Sequence, residues 1–179
     1  MIDLILILKE YHELEEELSK FYLWLSEVFL TDDDISKFFS KLYMEEEQHK
    51  SMILYQMRLI KMNPIQFRNK TINGALLRKT KEFLKAFFSR TNNINLEKAL
   101  QISLILEACT MESYFSSVFT ISPELDNLNK NMLNNSHNHY EKIKKFMSIN
   151  GFDVPDIPNP KIENLEKLEE LLEECFNQN

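Results

Sequence analysis

Glycine is nearly absent from this chain, with two residues in 179, and only two cysteines and five prolines accompany it. So little glycine excludes a turn-rich sheet protein. With 44% hydrophobic residues, the chain reads as mostly helical and long enough for one well-packed domain. Cys109 and Cys175 are too few for a disulfide framework or a four-cysteine metal site. A reducing cytoplasm is the natural compartment. Cations are also in deficit, 21 Lys and Arg against 28 Asp and Glu, for a formal charge of −7. That balance argues against nucleic-acid binding, which needs a basic face for phosphates. Long apolar runs are missing too. The opening MIDLILILKEY carries Asp3 and Glu10 and has no basic residue ahead of its short apolar run, so neither a secretory signal nor a membrane span is expected.

What is present is helical periodicity. Leu4, Leu8, Tyr11, Glu15, Leu18, Tyr22, Leu25 and Phe29 alternate steps of four and three and line one stripe of a long first helix. Asp32, Asp33 and Asp34 offer a turn and N-cap candidates. Ile35, Phe39, Leu42, Glu46, His49, Ile53 and Ile60 continue a second stripe, ended by Asn63-Pro64, where proline has no N–H to give. Leu96, Leu100, Ser103, Glu107, Thr110, Tyr114 and Val118 trace a third helix that stops before Ser122-Pro123. The fourth runs through Leu125, Leu128, Met132, Ser136, His139, Ile143 and Phe146 to Gly151. The short turns imply two antiparallel hairpins. Roughly thirty residues separate the second helix from the third, enough for a long crossover. The expected fold is all-α: a four-helix bundle over residues 1–150 with a crossover at 62–95, then a proline-rich linker and an amphipathic helix over 151–179.

The hairpins repeat one another. Glu15 precedes Tyr22 by seven residues, and Glu107 precedes Tyr114 by seven. A shift of ninety positions lays Leu42, Glu46, His49 and Ile53 on Met132, Ser136, His139 and Ile143. The single mismatch falls on a carboxylate.

Glu46 and His49, at i and i+3, reach one point on a helix face. A carboxylate and an imidazole so placed can hold a transition metal. Bundles that carry two irons or manganeses draw a Glu from each of two helices and a Glu-x-x-His from each of the other two. Glu15, Glu46, His49, Glu107 and His139 occur in that helix order, and the fourth glutamate is missing. Each residue has a plainer reading. Glu15 lies in LEEELS and Glu46 in Glu45-Glu46-Glu47, runs that also suit a solvated acidic face, and His139 alone suits a hydrogen-bonded core histidine. Glu107 is harder to leave unpartnered, because SLILEACTM surrounds it with apolar or small residues. Together, three carboxylates and two histidines on apolar stripes would repel or stay protonated without a cation, and metal binding is the reading preferred. Asn134 with His137, and also His12, are assigned to the surface.

These motifs resemble the rubrerythrin-like branch of the ferritin-like superfamily, with E-x6-Y on one helix and E-x-x-H on the next, repeated. The resemblance covers residues 4–147 and makes the expected bundle ferritin-like. It implies Glu15 and Glu107 as terminal ligands, Glu46 as a bridging ligand, and His49 and His139 as one imidazole for each metal, with Tyr22 and Tyr114 standing behind the ligands. Both tyrosines suit ordinary core packing equally well. Ser136 stands where the second bridging Glu would be. Three carboxylates leave one positive charge on two divalent ions, which favours hydroxide, an exogenous anion, a single metal or no stable site. The implied cofactor is iron, as two ions or one, with manganese or zinc compatible with the same donors.

Residues 66–90 hold seven of the 21 basic residues and one acid, Glu82. A crossover helix packed on the bundle is the preferred reading, and docking to an acidic redox partner or a membrane surface is the alternative. Pro155, Pro158 and Pro160 make a stiff linker. Ile162, Leu165, Leu168, Leu172, Cys175 and Phe176 mark a last amphipathic helix that folds back on its bundle or serves a homodimer. The functions in view are a rubrerythrin-like oxidoreductase acting on peroxide or dioxygen, a non-catalytic helical interaction protein whose metal site has decayed, and an iron oxidation or storage protein. Two cysteines cannot build a rubredoxin centre, so the first of these requires an external electron donor.

Overall fold

The computed structural model describes residues 2–62, 75–90, 94–118, 139–155 and 157, with side chains at 4–62, 77–88, 94–109, 139–155 and 157. Among these residues every regular element is helical. The elements are α1 (Ile2–Val28), α2 (Asp33–Met62), α3 (Ala75–Arg90) and α4 (Leu96–Val118), with a helical stretch at residues 139–149, here α5. The chain divides into two compact units, Met1–Asn93 and Ile94–Asn179. The all-α expectation holds. Among the described residues no helix is long and apolar enough to cross a membrane.

In the first unit, neither α1 nor α2 contains Gly or Pro, so each propagates without a break. Between them the backbone turns over residues 29–32. Asp32 caps α2: its Oδ1 accepts from the Ile35 N–H at 3.2 Å, and Asp33 and Asp34 add negative charge to the first turn. The stripe of α1 is buried from Leu4 to Leu25, with Phe29 half-buried at its end. Opposite it lie Phe39, Leu42, Ile53, Met57 and Ile60 of α2. Two contacts fix the antiparallel sense. Ser36 Oγ donates to the Ser26 carbonyl at 2.9 Å near the turn, and Ser19 Oγ donates to Glu47 at 2.5 Å farther along.

The helix α3 lies within the expected crossover and packs on α1. Arg78 pairs with Glu10 at 3.0 Å and Lys81 with Glu13 at 2.6 Å, and Phe87 and Phe88 meet Phe21 and Trp24. Partners rise in number together, so α3 runs parallel to α1. Phe21 is the hub of this seam, touching the Phe87 ring edge-on at 5.6 Å and the Phe88 ring at 6.2 Å. Two cations of the basic segment are thus matched to acids of α1, which favours the packed-helix reading over a free basic docking face. The rest of the crossover, Leu76's side chain included, lies outside the described residues.

In the second unit, Asn95 caps α4, its Oδ1 accepting from the Lys98 N–H at 2.8 Å. Every residue from Ile102 to Cys109 is buried. His139, Ile143 and Met147, spaced by four, are the buried positions of α5, whereas Phe146 is half-buried. The end of α5 is a left-handed cap. Gly151 has φ 74°, and the Phe152 N–H reaches back to the Met147 carbonyl at 3.0 Å.

Candidate metal centre

Acidic runs alone do not say which glutamate turns inward; helical phase does. In LEEELS, Glu15 falls on the Leu8, Tyr11, Leu18 stripe and is buried, whereas Glu16 and Glu17 are half-buried. In the second run Glu46 falls between Leu42 and Ile53 and is buried, with Glu45 and Glu47 half-buried. His49 follows one turn later with its side chain 11% exposed.

The three meet at one nitrogen. His49 Nδ1 lies 2.8 Å from Glu46 Oε2 on its own helix and 3.6 Å from Glu15 Oε2 on α1. The exposures of the two carboxylate side chains are 6% for Glu15 and 2% for Glu46. Burial pushes the Glu15 carboxyl up to about 8, the Glu46 charge adding to the rise and the His49 hydrogen bond opposing it. Burial alone would lower the His49 imidazole, but the Glu46 and Glu15 carboxylates overcome this and raise it to about 10. Proton affinity is therefore raised on both sides of the contact. That marks an excess of negative potential, which equally favours a cation.

The second unit holds a similar pair. His139 Nδ1 lies 3.5 Å from Glu107 Oε2, within ion-pair range, and both side chains are buried. Glu46 and His49 belong to a buried Glu/His/His set that could hold a metal ion. Carboxylate oxygen and imidazole nitrogen suit a first-row divalent ion and do not specify which one.

The remaining expected positions fare differently. Tyr22 is fully buried and its ring stacks on Phe39 with centroids 6.4 Å apart. The Tyr114 side chain, Ser136, Asn134, His137 and the C-terminal helix lie outside the described residues. His12 is half-buried rather than fully at the surface.

Sequence reasoning missed the polar layer beside the site. Ser19, one turn after Glu15, is buried and donates to Glu47 Oε1, which also accepts from Lys50 Nζ at 2.7 Å. The signal was available in the spacing, since a serine four residues beyond Glu15 shares its face and Glu47 adjoins Glu46. Tyr11, one turn before Glu15, is also fully buried. No protein-family model, curated protein or solved structure matches this chain.

Proposed function

We propose that this is a metal-binding helical protein of the rubrerythrin-like kind, whose Glu/His centre supports redox chemistry with peroxide or dioxygen. The observation that carries the reading is the burial of Glu15 and Glu46 against one nitrogen of His49. Removing such groups from water costs several kcal/mol per ion, a cost offset when they hold a cation. Glu107 and His139 are proposed as a further ligand pair, with Ser136 marking the carboxylate that the internal repeat lacks.

A bound iron or manganese would supply one-electron chemistry toward the oxidant. The chain's own residues do the rest. Glu15 and His49, which hold protons at neutral pH, release them to become ligands. The apolar stripes of α1 and α2 keep bulk water from the donors. Reducing equivalents come from a separate donor protein. The position of Ser136 in the repeat favours one second reading, a helical interaction protein that has lost its metal.

Metal analysis of protein purified from its native source, with anaerobic Fe(II) and Mn(II) titration of stripped protein, tests the proposal. Stoichiometric metal and metal-dependent thermal stabilisation are expected. A stable fold with no affinity for either ion overturns the metal reading and leaves the interaction protein.

A further inference from the structure

Beside the Glu15, Glu46 and His49 contact, a hydrogen bond between side chains of α1 and α2 joins Ser19 to Glu47. Ser19 is 3% exposed and stands one turn beyond Glu15. Its acceptor is the residue next to Glu46 and two before His49. The O···O separation of 2.5 Å is that of a hydroxyl bonded to an ionised carboxylate. Lys50, on the same turn of α2, donates to the same oxygen at 2.7 Å.

Two helices joined by apolar side chains alone can slide and rotate by fractions of an ångström at little cost, and ligand atoms are sensitive to such shifts. We propose that Ser19 is a positioning residue for the metal centre: its bond to Glu47 sets the register of α2 on α1 at the turn that carries Glu46 and His49 opposite Glu15. This inference rests on the metal-centre reading for its functional consequence, but the geometry it invokes exists without metal. Ser36, whose hydroxyl also joins α2 to α1 through the Ser26 carbonyl, provides an internal comparison at the hairpin turn.

The experiment compares Ser19→Ala, Ser19→Thr and Ser36→Ala in the full chain. Binding of Co(II) and Fe(II) is measured by anaerobic titration, and the proximity of Glu15 to His49 is measured in metal-free protein by proton NOEs between their side chains. Ser19→Ala should weaken metal binding about tenfold, the lower end of the range for groups that orient ligands, and should weaken the Glu15–His49 NOE. Ser19→Thr, which keeps the hydroxyl, should restore both. Ser36→Ala should lower thermal stability with neither change. Wild-type affinity together with an unchanged NOE in Ser19→Ala overturns the assignment, as does an equal loss in Ser36→Ala. If the wild-type protein binds neither ion, the metal reading fails, and the NOE comparison alone decides whether Ser19 positions this pair.

Discussion

Glu15 on α1 and His49 on α2 stand 3.6 Å apart, buried between the helices that carry them. A carboxyl whose pKa rises from 4.5 to about 8 and an imidazole whose pKa rises from 6.5 to about 10 both bind protons more tightly in the folded chain than in the unfolded one.

The sign of the pH dependence follows. Between 4.5 and about 8 the folded state holds an extra proton at Glu15, and between 6.5 and about 10 it holds one at His49. Stability of metal-free protein therefore falls as pH rises through both windows, by up to about 1.4 kcal/mol per pH unit for each extra proton. His49's favourable contribution is complete below 6.5 and lost as pH passes about 10, while Glu15's unfavourable one grows as pH climbs toward 8. Urea denaturation of stripped protein from pH 5 to 9 should show the decline, and Glu15→Gln should make it shallower. A flat wild-type profile would contradict the contact.

The α1–α3 seam rests on rings more than on ions. Phe21 is fully buried and meets Phe87 and Phe88, so Phe21→Ala should destabilise the fold by about 3–5 kcal/mol. Lys81 pairs with Glu13, whose side chain is 59% exposed, and Lys81→Ala should cost less than about 1 kcal/mol and only at low salt. Similar losses for the two would mean that the seam is electrostatic.

Periodicity made much of this legible. The stripe of α1 and the positions of Glu15 and Glu46 follow from 3.6-residue phasing, because a buried face recurs whether its occupant is leucine or glutamate. The inward turn of Glu107 followed from the apolar SLILEACTM around it. Less legible were contacts that depend on a neighbour's identity. Nothing in the α1 stripe says that Phe21 and Trp24 face another helix, since that face is buried only because α3 returns along it. The bond from Ser19 to Glu47 was half legible: spacing puts Ser19 on the face of Glu15, but the identity of its acceptor emerges only when the partner helix brings the two together. Where the repeat breaks, at Ser136, the sequence alone speaks.

Gly151 supplies a smaller check on α5. Its φ of 74° suits a residue without Cβ, and an added Cβ would meet nothing within 4 Å. Gly151→Ala should therefore lose only the conformational term, about 1 kcal/mol, seen as a fall in melting temperature of about 2–4 °C. A stabilised variant would mean that the left-handed cap is absent in solution.

The last prediction concerns how protons and metal compete. On the rubrerythrin-like reading Glu46 bridges, serving two ions, and Glu15 serves one, so Glu46→Gln should lose more Fe(II) at pH 7 than Glu15→Gln. The Glu15 deficit should depend on pH. Wild-type Glu15 holds its proton to about pH 8 and must shed it to bind. Removing the carboxylate should therefore matter little at pH 6, where the competing proton already weakens it, and more at pH 8.5. Calorimetric titration in buffers of different ionisation enthalpy should register roughly two protons released from wild type at pH 7, one each from Glu15 and His49. Equal retention by the two variants would remove the bridging assignment. Binding without proton release would show that the metal sits elsewhere, because no ion can use Glu15 and His49 while both remain protonated.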